Sequence, residues 1–226
     1  MKMNQLSICV ALVLGSCLAV NAQNTNYLGK NDPDAKKVLD ALSAKLTSYK
    51  AVQANFTLKV EDSKGKVQGT RSGLIYFKGS KYHVSVVGGQ EIYCDGKDVY
   101  TYDKSSNEVT ITKNDPSTQP ISPDKLFSNF YDKDYLYKLN GESKVGTKTL
   151  QEVELTPVDK TKSFFKVLLY IDKATHTLVS IKVYDKGGNR YTLDTSKING
   201  AATFTDAQLV YSKTRFPGAE EVDLRN

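Results

Sequence analysis

The stretch from Arg71 to Asp103 most constrains what this chain can fold into, because it carries strand signals throughout and no helix signal. Its apolar residues, rich in Tyr, Val, Ile and Phe, occur in short blocks. Turn sequences separate the blocks at Lys78-Gly79-Ser80, Gly88-Gly89 and Asp95-Gly96. Short apolar blocks joined by glycine turns predict a run of antiparallel strands, about four in number.

One strand of this stretch shows how the sheet is expected to face its surroundings. Tyr82, Val84 and Val86 alternate with His83 and Ser85. Such alternation predicts one apolar face and one wetter face, as in a sheet that packs on one side only. The fold class therefore depends on what covers the apolar face.

The N-terminus has the features of a secretory signal. Lys2 precedes an uncharged apolar run from Leu6 to Val20, and small residues follow up to Ala22. This order predicts that residues 1–22 are a signal peptide cleaved after Ala22, and that the protein is exported. The run is shorter than the about 20 apolar residues that a membrane span needs.

A second interpretation of the N-terminus stays open. Leu14-Gly15-Ser16-Cys17 resembles a lipoprotein signal, in which Cys17 would become the acylated first residue. The apolar residues 18–20 continue past Cys17, where a lipoprotein normally turns polar. This favours simple cleavage.

Residues 23–226 are long enough for a single domain with its own core. The formal net charge is +6, and removing Lys2 with the signal would leave +5. No block of five like charges occurs, which argues against nucleic acid as a partner. Of the three cysteines only Cys94 would remain, so we expect a buried thiol and no intramolecular disulfide.

Two helices are predicted outside the strand-rich stretch. Asp32-Pro33-Asp34 supplies a capping residue, a proline at the first helical position and an early acid, so a helix should run from Pro33 to about Ser48. Its apolar residues recur every three or four positions: Ala35, Val38, Leu39, Leu42, Leu46 and Tyr49. A second, short helix is predicted from Pro123 to about Asp132, with Leu126, Phe127 and Phe130 at helical spacing.

The rest of the chain alternates in the manner of strands. The segments are 56–60, 108–112, 135–139, 144–145, 151–156, 164–172, 178–184, 190–198 and 208–211, with turns at 63–66, 140–141, 173–177 and 186–189. An antiparallel meander of about eleven strands is too wide to stay flat. The predicted class is α+β: a curled antiparallel sheet that forms an unclosed half-barrel, covered by a lid of short α-helices.

The residues that catalysis or metal binding would need are few. His83 should point to the wetter face and His176 should lie in a turn, so both are interpreted as surface residues. Residues 141–148 have the glycine spacing of a phosphate loop, but no helix follows, and a hairpin is expected instead. We therefore predict no enzyme, no cofactor and no metal site. Whether the aromatic residues line a ligand cavity or fill a packed β-core stays open on pattern alone.

Several short motifs occur in an order that resembles the periplasmic outer-membrane lipoprotein carrier family, LolA. They are Tyr49 after the first helix, Val52-Gln53-Ala54-Asn55-Phe56-Thr57, Ser72-Gly73-Leu74, Lys81-Tyr82, Asp95-Gly96-Lys97, Leu155-Thr156-Pro157, Phe216-Pro217-Gly218 and Val222-Asp223. The resemblance covers nearly the whole chain after the signal. It implies a half-barrel that shields the acyl chains of lipoproteins and ferries them from the inner to the outer membrane.

The resemblance also implies partners and a site. The partners would be acylated lipoproteins, an inner-membrane lipoprotein-release transporter, and an outer-membrane acceptor or the membrane itself, with the carrier acting as a monomer. The acyl-chain cavity would include Phe56, Leu58, Tyr82, Val84, Val86, Phe165, Val167 and Leu169, or the out-of-phase neighbours of the last three. The lid would carry Leu39, Leu42, Leu46, Leu126, Phe127 and Phe130.

Two departures from the family pattern are visible. Where well-studied members carry an arginine that latches the lid, this chain has Lys78-Gly79, and Lys78 lacks the planar fork of donors. The chain also contains no Trp. The alternative within the same fold is a lipid- or lipoprotein-sensing or acceptor module, which could itself be acylated at Cys17.

Overall fold

The structure, a computed structural model, describes residues 29–115 and 131–225. One sheet of twelve strands runs through the described residues in the order β12-β6-β5-β4-β3-β2-β1-β11-β10-β9-β8-β7. The strands are β1 Val52–Glu61, β2 Val67–Lys78, β3 Lys81–Val86, β4 Gln90–Cys94, β5 Asp98–Asp103, β6 Glu108–Lys113, β7 Tyr135–Val145, β8 Lys148–Pro157, β9 Phe164–Asp172, β10 Leu178–Asp185, β11 Arg190–Asn199 and β12 Glu220–Asp223. The helices are α1 Pro33–Thr47 and α2 Tyr131–Asp134.

The sheet is built from two meanders that meet at β1. Strands β1 to β6 pair in sequence order, and so do β7 to β11. Strand β1 pairs antiparallel with β2 on one side and with β11 on the other, which joins the two halves. The end strands β7 and β12 do not pair with each other, so the curled sheet stays unclosed.

The predicted fold class is confirmed, with one addition to the sheet. Strand β12 at Glu220–Asp223 pairs parallel with β6, which makes the sheet mixed rather than wholly antiparallel. Its four residues are too short for alternation to mark them as a strand. The sheet thus has twelve strands, where about eleven were predicted.

Helix α1 begins and ends where its sequence signals place it. The carboxylate of Asp32 accepts a hydrogen bond from the backbone N–H of Asp34 at 2.9 Å, and Pro33 occupies the first turn. The predicted apolar stripe is buried against β7 and β8. Of the second predicted helix, 123–130 lies outside the described residues, and the described helix α2 spans Tyr131–Asp134.

Two local predictions were wrong. Asn140-Gly141 is not a turn but an irregularity inside β7, where Gly141 takes a φ of 139° that a residue with a side chain rarely adopts; the hairpin turns at 146–147 instead. The segment 208–211 is not a strand. It follows a short 3₁₀ turn at Asp206–Gln208, with Leu209 fully buried.

The apolar side chains form two clusters on the inner face of the sheet. The first lies beneath α1 and contains Tyr131, Tyr135, Tyr137, Val153, Leu155, Phe164, Val167, Leu169, Ile171, Leu178 and Ile181 together with the helix stripe. The second lies on β1 to β4 and contains Val52, Ala54, Phe77, Tyr82 and Cys94. Tyr49 packs against both clusters, so the loop after α1 links the two halves of the core.

The outer face of β2 to β5 is covered by other parts of the chain rather than exposed to solvent. Aromatic residues of the C-terminal segment pack on it: Phe204 lies edge-to-face against Tyr76, Tyr211 stacks on Tyr100, and Phe216 stacks on Tyr102. His83 lies in this layer, with its ring 4.2 Å from that of Tyr93 and its Nε2 2.6 Å from Oε2 of Glu91. Only 13% of the His83 side chain is exposed, so its interpretation as a surface residue was wrong.

Candidate ligand-binding cavity

An apolar cavity of about 560 Å³ lies on the inner face of the sheet, across the junction of the two meanders. Fifteen of its eighteen lining residues are apolar: Leu46, Val52, Ala54, Phe56, Leu58, Val60, Ile75, Phe77, Val84, Val86, Ile92, Leu178, Ile181, Leu193 and Ile198. The other three are Arg71, Gln90 and Thr195. The cavity borders both core clusters, since Leu178 and Ile181 belong to the first, and Val52, Ala54 and Phe77 to the second.

Strand β1 forms the floor of the cavity through its period-two alternation. Its even-numbered residues from Val52 to Val60 all line the cavity. The neighbouring strands add side chains on the same face by register: Ile75 on β2 lies opposite Val84 on β3, which lies opposite Ile92 on β4. The cavity wall is therefore a direct product of the strand pairing.

Gly73 allows an aromatic ring to lie flat on this floor. Gly73 on β2 pairs with Phe56 on β1. A Cβ atom at Gly73 would lie 2.7 Å from Cε1 of Phe56 and closer still to the carbonyl oxygen of Ser85. The absence of a side chain at position 73 thus positions the Phe56 ring.

The cavity is graded from a buried end to an open end. At the start of β1, Val52 and Ala54 are buried, and Leu46 at the end of α1 closes the space beside them. Further along β1, Leu58 and Val60 are half-buried, and Arg71, opposite Leu58 on β2, is exposed. The polar group within the wall, Thr195, donates from Oγ1 to the carbonyl oxygen of Leu178 at 2.7 Å and so brings no unpaired donor into the cavity.

The structure brings together part of the predicted site. Phe56, Leu58, Val84 and Val86 line the cavity, as does Leu46 from the predicted lid. Tyr82 lies on the same face but is 4% exposed, packed in the second cluster and outside the lining.

The β9 residues of the predicted site lie elsewhere. Val167 and Leu169 are fully buried in the first cluster, beneath α1 rather than in the cavity. Phe165 lies on the opposite face, 49% exposed, with its ring beside that of Tyr184. An irregularity in the pairing of β9 with β10 makes Phe165 an extra residue, so Phe164 takes the inward position and the phase changes.

The predicted lid residues divide in the same way. Leu39 and Leu42 hold α1 against β7 to β10 within the first cluster, so this helix is a wall packed beside the cavity. Leu126, Phe127 and Phe130 lie outside the described residues. Lys78 donates from Nζ to Oδ1 of Asp206 at 2.8 Å, so its described partner is the 3₁₀ turn of the C-terminal segment rather than α1 or α2.

Sequence reasoning missed several wall residues, namely Ile75, Ile92, Leu178, Ile181, Leu193 and Ile198. All six lie on strands that were themselves predicted, and Ile75, Ile92 and Leu193 follow the alternation of their strands. Leu178 and Ile198 lie beside shifts of the strand register, which the alternation does not show. What was also lacking was the strand order, which places β10 and β11 next to β1.

Titratable groups in the described ranges form no metal-binding cluster. Within residues 29–115 and 131–225, no group of three or more His, Cys, Asp or Glu side chains is placed to hold a metal ion. Cys94 is a free thiol, fully buried in the second cluster. The shifted pKa values arise from burial and local hydrogen bonds. Burial raises the pKa of the Tyr131 and Tyr135 phenols. Hydrogen bonds from Lys36 and Tyr131 lower the pKa of the Asp40 carboxyl.

Fold and cavity together define the class of unclosed half-barrel proteins built around an apolar cavity. No helix among the described residues is long and apolar enough to cross a membrane. Comparison with known proteins gives the particular family. The sequence model of the family described as "Outer membrane lipoprotein carrier protein LolA" matches residues 47–211, and the chain belongs to this family.

Individual relatives agree with that assignment, and one solved structure shares the fold. Two proteins named outer-membrane lipoprotein carrier protein, from Cupriavidus necator and Cupriavidus taiwanensis, are 32% and 31% identical over 135 residues. The match covers 57% of this chain and 62% of each relative, so it spans less than two thirds of their length. An uncharacterized conserved protein from Thermus thermophilus has the same fold, with a TM-score of 0.56 at 18% identity over 84% of this chain and 99% of that one.

Proposed function

We propose that the protein is a periplasmic carrier that shields the acyl chains of lipoproteins in its apolar cavity. It takes an acylated lipoprotein from an inner-membrane release transporter and passes it to an outer-membrane acceptor or to the membrane itself. The role is one of binding and transport, without a chemical step. Membership of the LolA family supports this proposal.

The observation that carries the proposal is the cavity itself. Its volume of about 560 Å³ falls within the range of roughly 300–1,000 Å³ that small-molecule sites occupy. A wall of aliphatic and Phe side chains binds an acyl chain through the hydrophobic effect rather than through hydrogen bonds. Each methylene group kept from water contributes about 0.8 kcal/mol, so an apolar cavity of this kind is what an acyl chain needs to cross an aqueous space.

Release also follows from the grading of the cavity. The buried end lies at Val52 and Ala54, and the lining becomes half-buried towards Val60. A chain that leaves towards the open end exchanges contacts with the wall for contacts with a membrane or an acceptor. Because both environments are apolar, the exchange needs no nucleotide or other energy source at the carrier.

The proposal includes export with cleavage after Ala22, and the acylated alternative begins at Cys17. Mass spectrometry of the exported protein distinguishes the two. A mature chain that begins at Gln23 supports the soluble carrier. A chain that begins at an acylated Cys17 supports a membrane-anchored acceptor.

A release assay tests the carrier function directly. Energised spheroplasts or inner-membrane vesicles that contain the cognate transporter are incubated with the purified mature protein. We expect a triacylated lipoprotein to appear in the soluble fraction, in a one-to-one complex with the protein. If the transporter is active and no lipoprotein is released, the protein is not the carrier.

A further inference from the structure

Arg71 is the charged residue of the cavity lining. It lies on β2, directly opposite Leu58 of β1, at the open end of the cavity. Its side chain is exposed, whereas the Leu58 side chain beside it is half-buried in the wall. Gln90 on β4 is half-buried at the same rim.

The guanidinium of Arg71 differs from the other three in the chain. Arg190 donates to the carbonyl oxygen of Ser63, Arg215 to that of Ala207, and Arg225 to the carboxylate of Asp98. The guanidinium of Arg71 makes no hydrogen bond or ion pair with any residue in the described ranges, although the Arg71 backbone pairs with β1. Its five N–H donors are thus available to a ligand.

The charge of Arg71 acts on Asp103, which lies at the end of β5. Asp103 pairs with Gln90 and accepts hydrogen bonds from the backbone N–H and hydroxyl of Ser105, at 2.7 Å and 2.6 Å. These bonds, with a smaller contribution from the Arg71 charge, lower the pKa of the Asp103 carboxyl. Asp103 is therefore an anion engaged by Ser105 rather than a partner of Arg71.

An apolar cavity with an unpaired guanidinium at its open end matches an amphiphile with one anionic group. We propose that Arg71, assisted by the amide of Gln90, binds the oxyanion of a single-chain acyl amphiphile whose chain fills the cavity. The oxyanion is a carboxylate, as in a fatty acid, or a phosphate, as in a single-chain phospholipid. Planar guanidinium donors bind either group with two parallel hydrogen bonds. The inference rests on the proposed acyl-chain cavity and adds a ligand class to it.

Three ligands with the same twelve-carbon chain separate the head group from the chain. Laurate carries a carboxylate, dodecyl phosphate carries a phosphate, and 1-dodecanol carries no charge. Isothermal titration calorimetry of the mature protein with each, below its aggregation limit, gives three dissociation constants. We expect both anions to bind about tenfold more tightly than dodecanol, because a charge-assisted hydrogen bond to Arg71 strengthens binding by about this factor. If laurate binds more tightly than dodecyl phosphate, the fatty acid is the better ligand. If dodecyl phosphate binds more tightly, the single-chain phospholipid is the better ligand.

Variants assign the preference to Arg71. Arg71→Gln should remove the preference for the anions, so that laurate and dodecyl phosphate bind no more tightly than dodecanol does. Arg71→Lys should keep part of it, because the charge remains but the fork of donors is lost. Lys64→Gln removes one positive charge from an exposed turn outside the cavity and should change nothing. Asp103→Asn should strengthen anion binding by about two- to threefold, since an opposing charge is removed.

The outcomes separate this inference from the proposed function. Suppose that the wild-type protein binds dodecanol but Arg71→Gln leaves the ratio of anion to dodecanol affinity unchanged. The proposed anion site is then contradicted, whereas the proposed acyl-chain cavity is supported. If Arg71→Gln weakens all three ligands equally, Arg71 acts through the packing of its stem, and the anion site is again wrong. If wild type binds none of the three, the acyl-chain cavity and the anion site both fail.

Discussion

Val84 and Val87 lie three residues apart, yet the sheet gives them opposite surroundings. Val84 lies in the cavity wall between Ile75 and Ile92, whereas Val87 is 78% exposed in the turn after β3. The pair offers a test in which chemistry and sequence position are nearly the same. Only the contact with the cavity differs.

Val84→Glu should leave the protein folded and abolish acyl-chain binding, because an ionised carboxylate in an apolar cavity is strongly unfavourable beside a chain that cannot solvate it. Val87→Glu should fold and bind as wild type does. Calorimetry with 1-dodecanol measures binding, and circular dichroism confirms the fold. Normal binding by a folded Val84→Glu variant would remove Val84 from the site.

A single glycine controls the cavity floor. Gly73→Ala should lower the free energy of unfolding by about 1–3 kcal/mol, because the new Cβ meets the Phe56 ring and a backbone carbonyl that cannot move aside. Gly69→Ala is the matched control, since nothing lies within 4 Å of a Cβ at that position of the same strand. Urea denaturation of both variants gives the comparison. Equal stability of the two would show that the Phe56 ring yields at little cost.

At the scale of elements, α1 is fixed to the sheet from both its cap and its apolar stripe. The Asp32 carboxylate, 6% exposed, accepts from the N–H of Asp34 with Oδ1 and from the N–H of Leu139 on β7 with Oδ2, at 2.9 Å and 3.0 Å. One side chain therefore caps the helix and covers part of the free edge of β7. An edge strand with unpaired N–H groups would otherwise be open to pairing with another chain.

Asp32→Ala should lower the free energy of unfolding by roughly 2–3 kcal/mol, as a lost N-cap and an unsatisfied N–H on β7 add together. Asp34→Ala, which removes an exposed acid from the same turn, should cost much less. Denaturation curves measure both changes. Hydrogen exchange at Leu139 gives an independent readout, and unchanged protection there in Asp32→Ala would contradict the bridging role.

At the scale of the whole molecule, the sheet is covered on both faces, by different parts of the chain. Helix α1 covers the inner face of one half, and the C-terminal segment covers the outer face of the other half. The ion pair of Arg225 with buried Asp98, at 2.8 Å, fixes the end of that segment beside β5. The inner face of the β1 to β4 half has no helix of the described part packed over it, and the cavity lies there.

The tyrosine-rich core predicts sensitivity to alkaline pH. Burial raises the pKa of Tyr131 and Tyr135 above the ordinary value of 10.0, so the folded state favours their neutral phenols. Their stabilising contribution is complete below about pH 10 and is lost as the pH rises towards the folded-state values. The loss should approach about 1.4 kcal/mol per pH unit for each such tyrosine.

Urea denaturation from neutral pH to about pH 11 measures this slope, and Tyr135→Phe should make it shallower. The ultraviolet absorbance of phenolate follows ionisation in the native protein. Ionisation of all tyrosines near pH 10 without loss of stability would contradict the prediction.

The sequence by itself determined the elements, because their signals are local. The proline and caps of α1, the glycine turns between β2 and β5, and the alternation of Phe56, Leu58, Val84 and Val86 each involve neighbouring residues. Tertiary structure alone decided which apolar positions enclose a cavity and which are filled. It packed Val167 and Leu169 under α1, turned Phe165 outward through a one-residue irregularity, and brought Leu193 of β11 beside β1. The physical reason is that alternation defines the face of a strand, whereas strand order, bulges and the position of a helix depend on contacts between residues far apart in the chain.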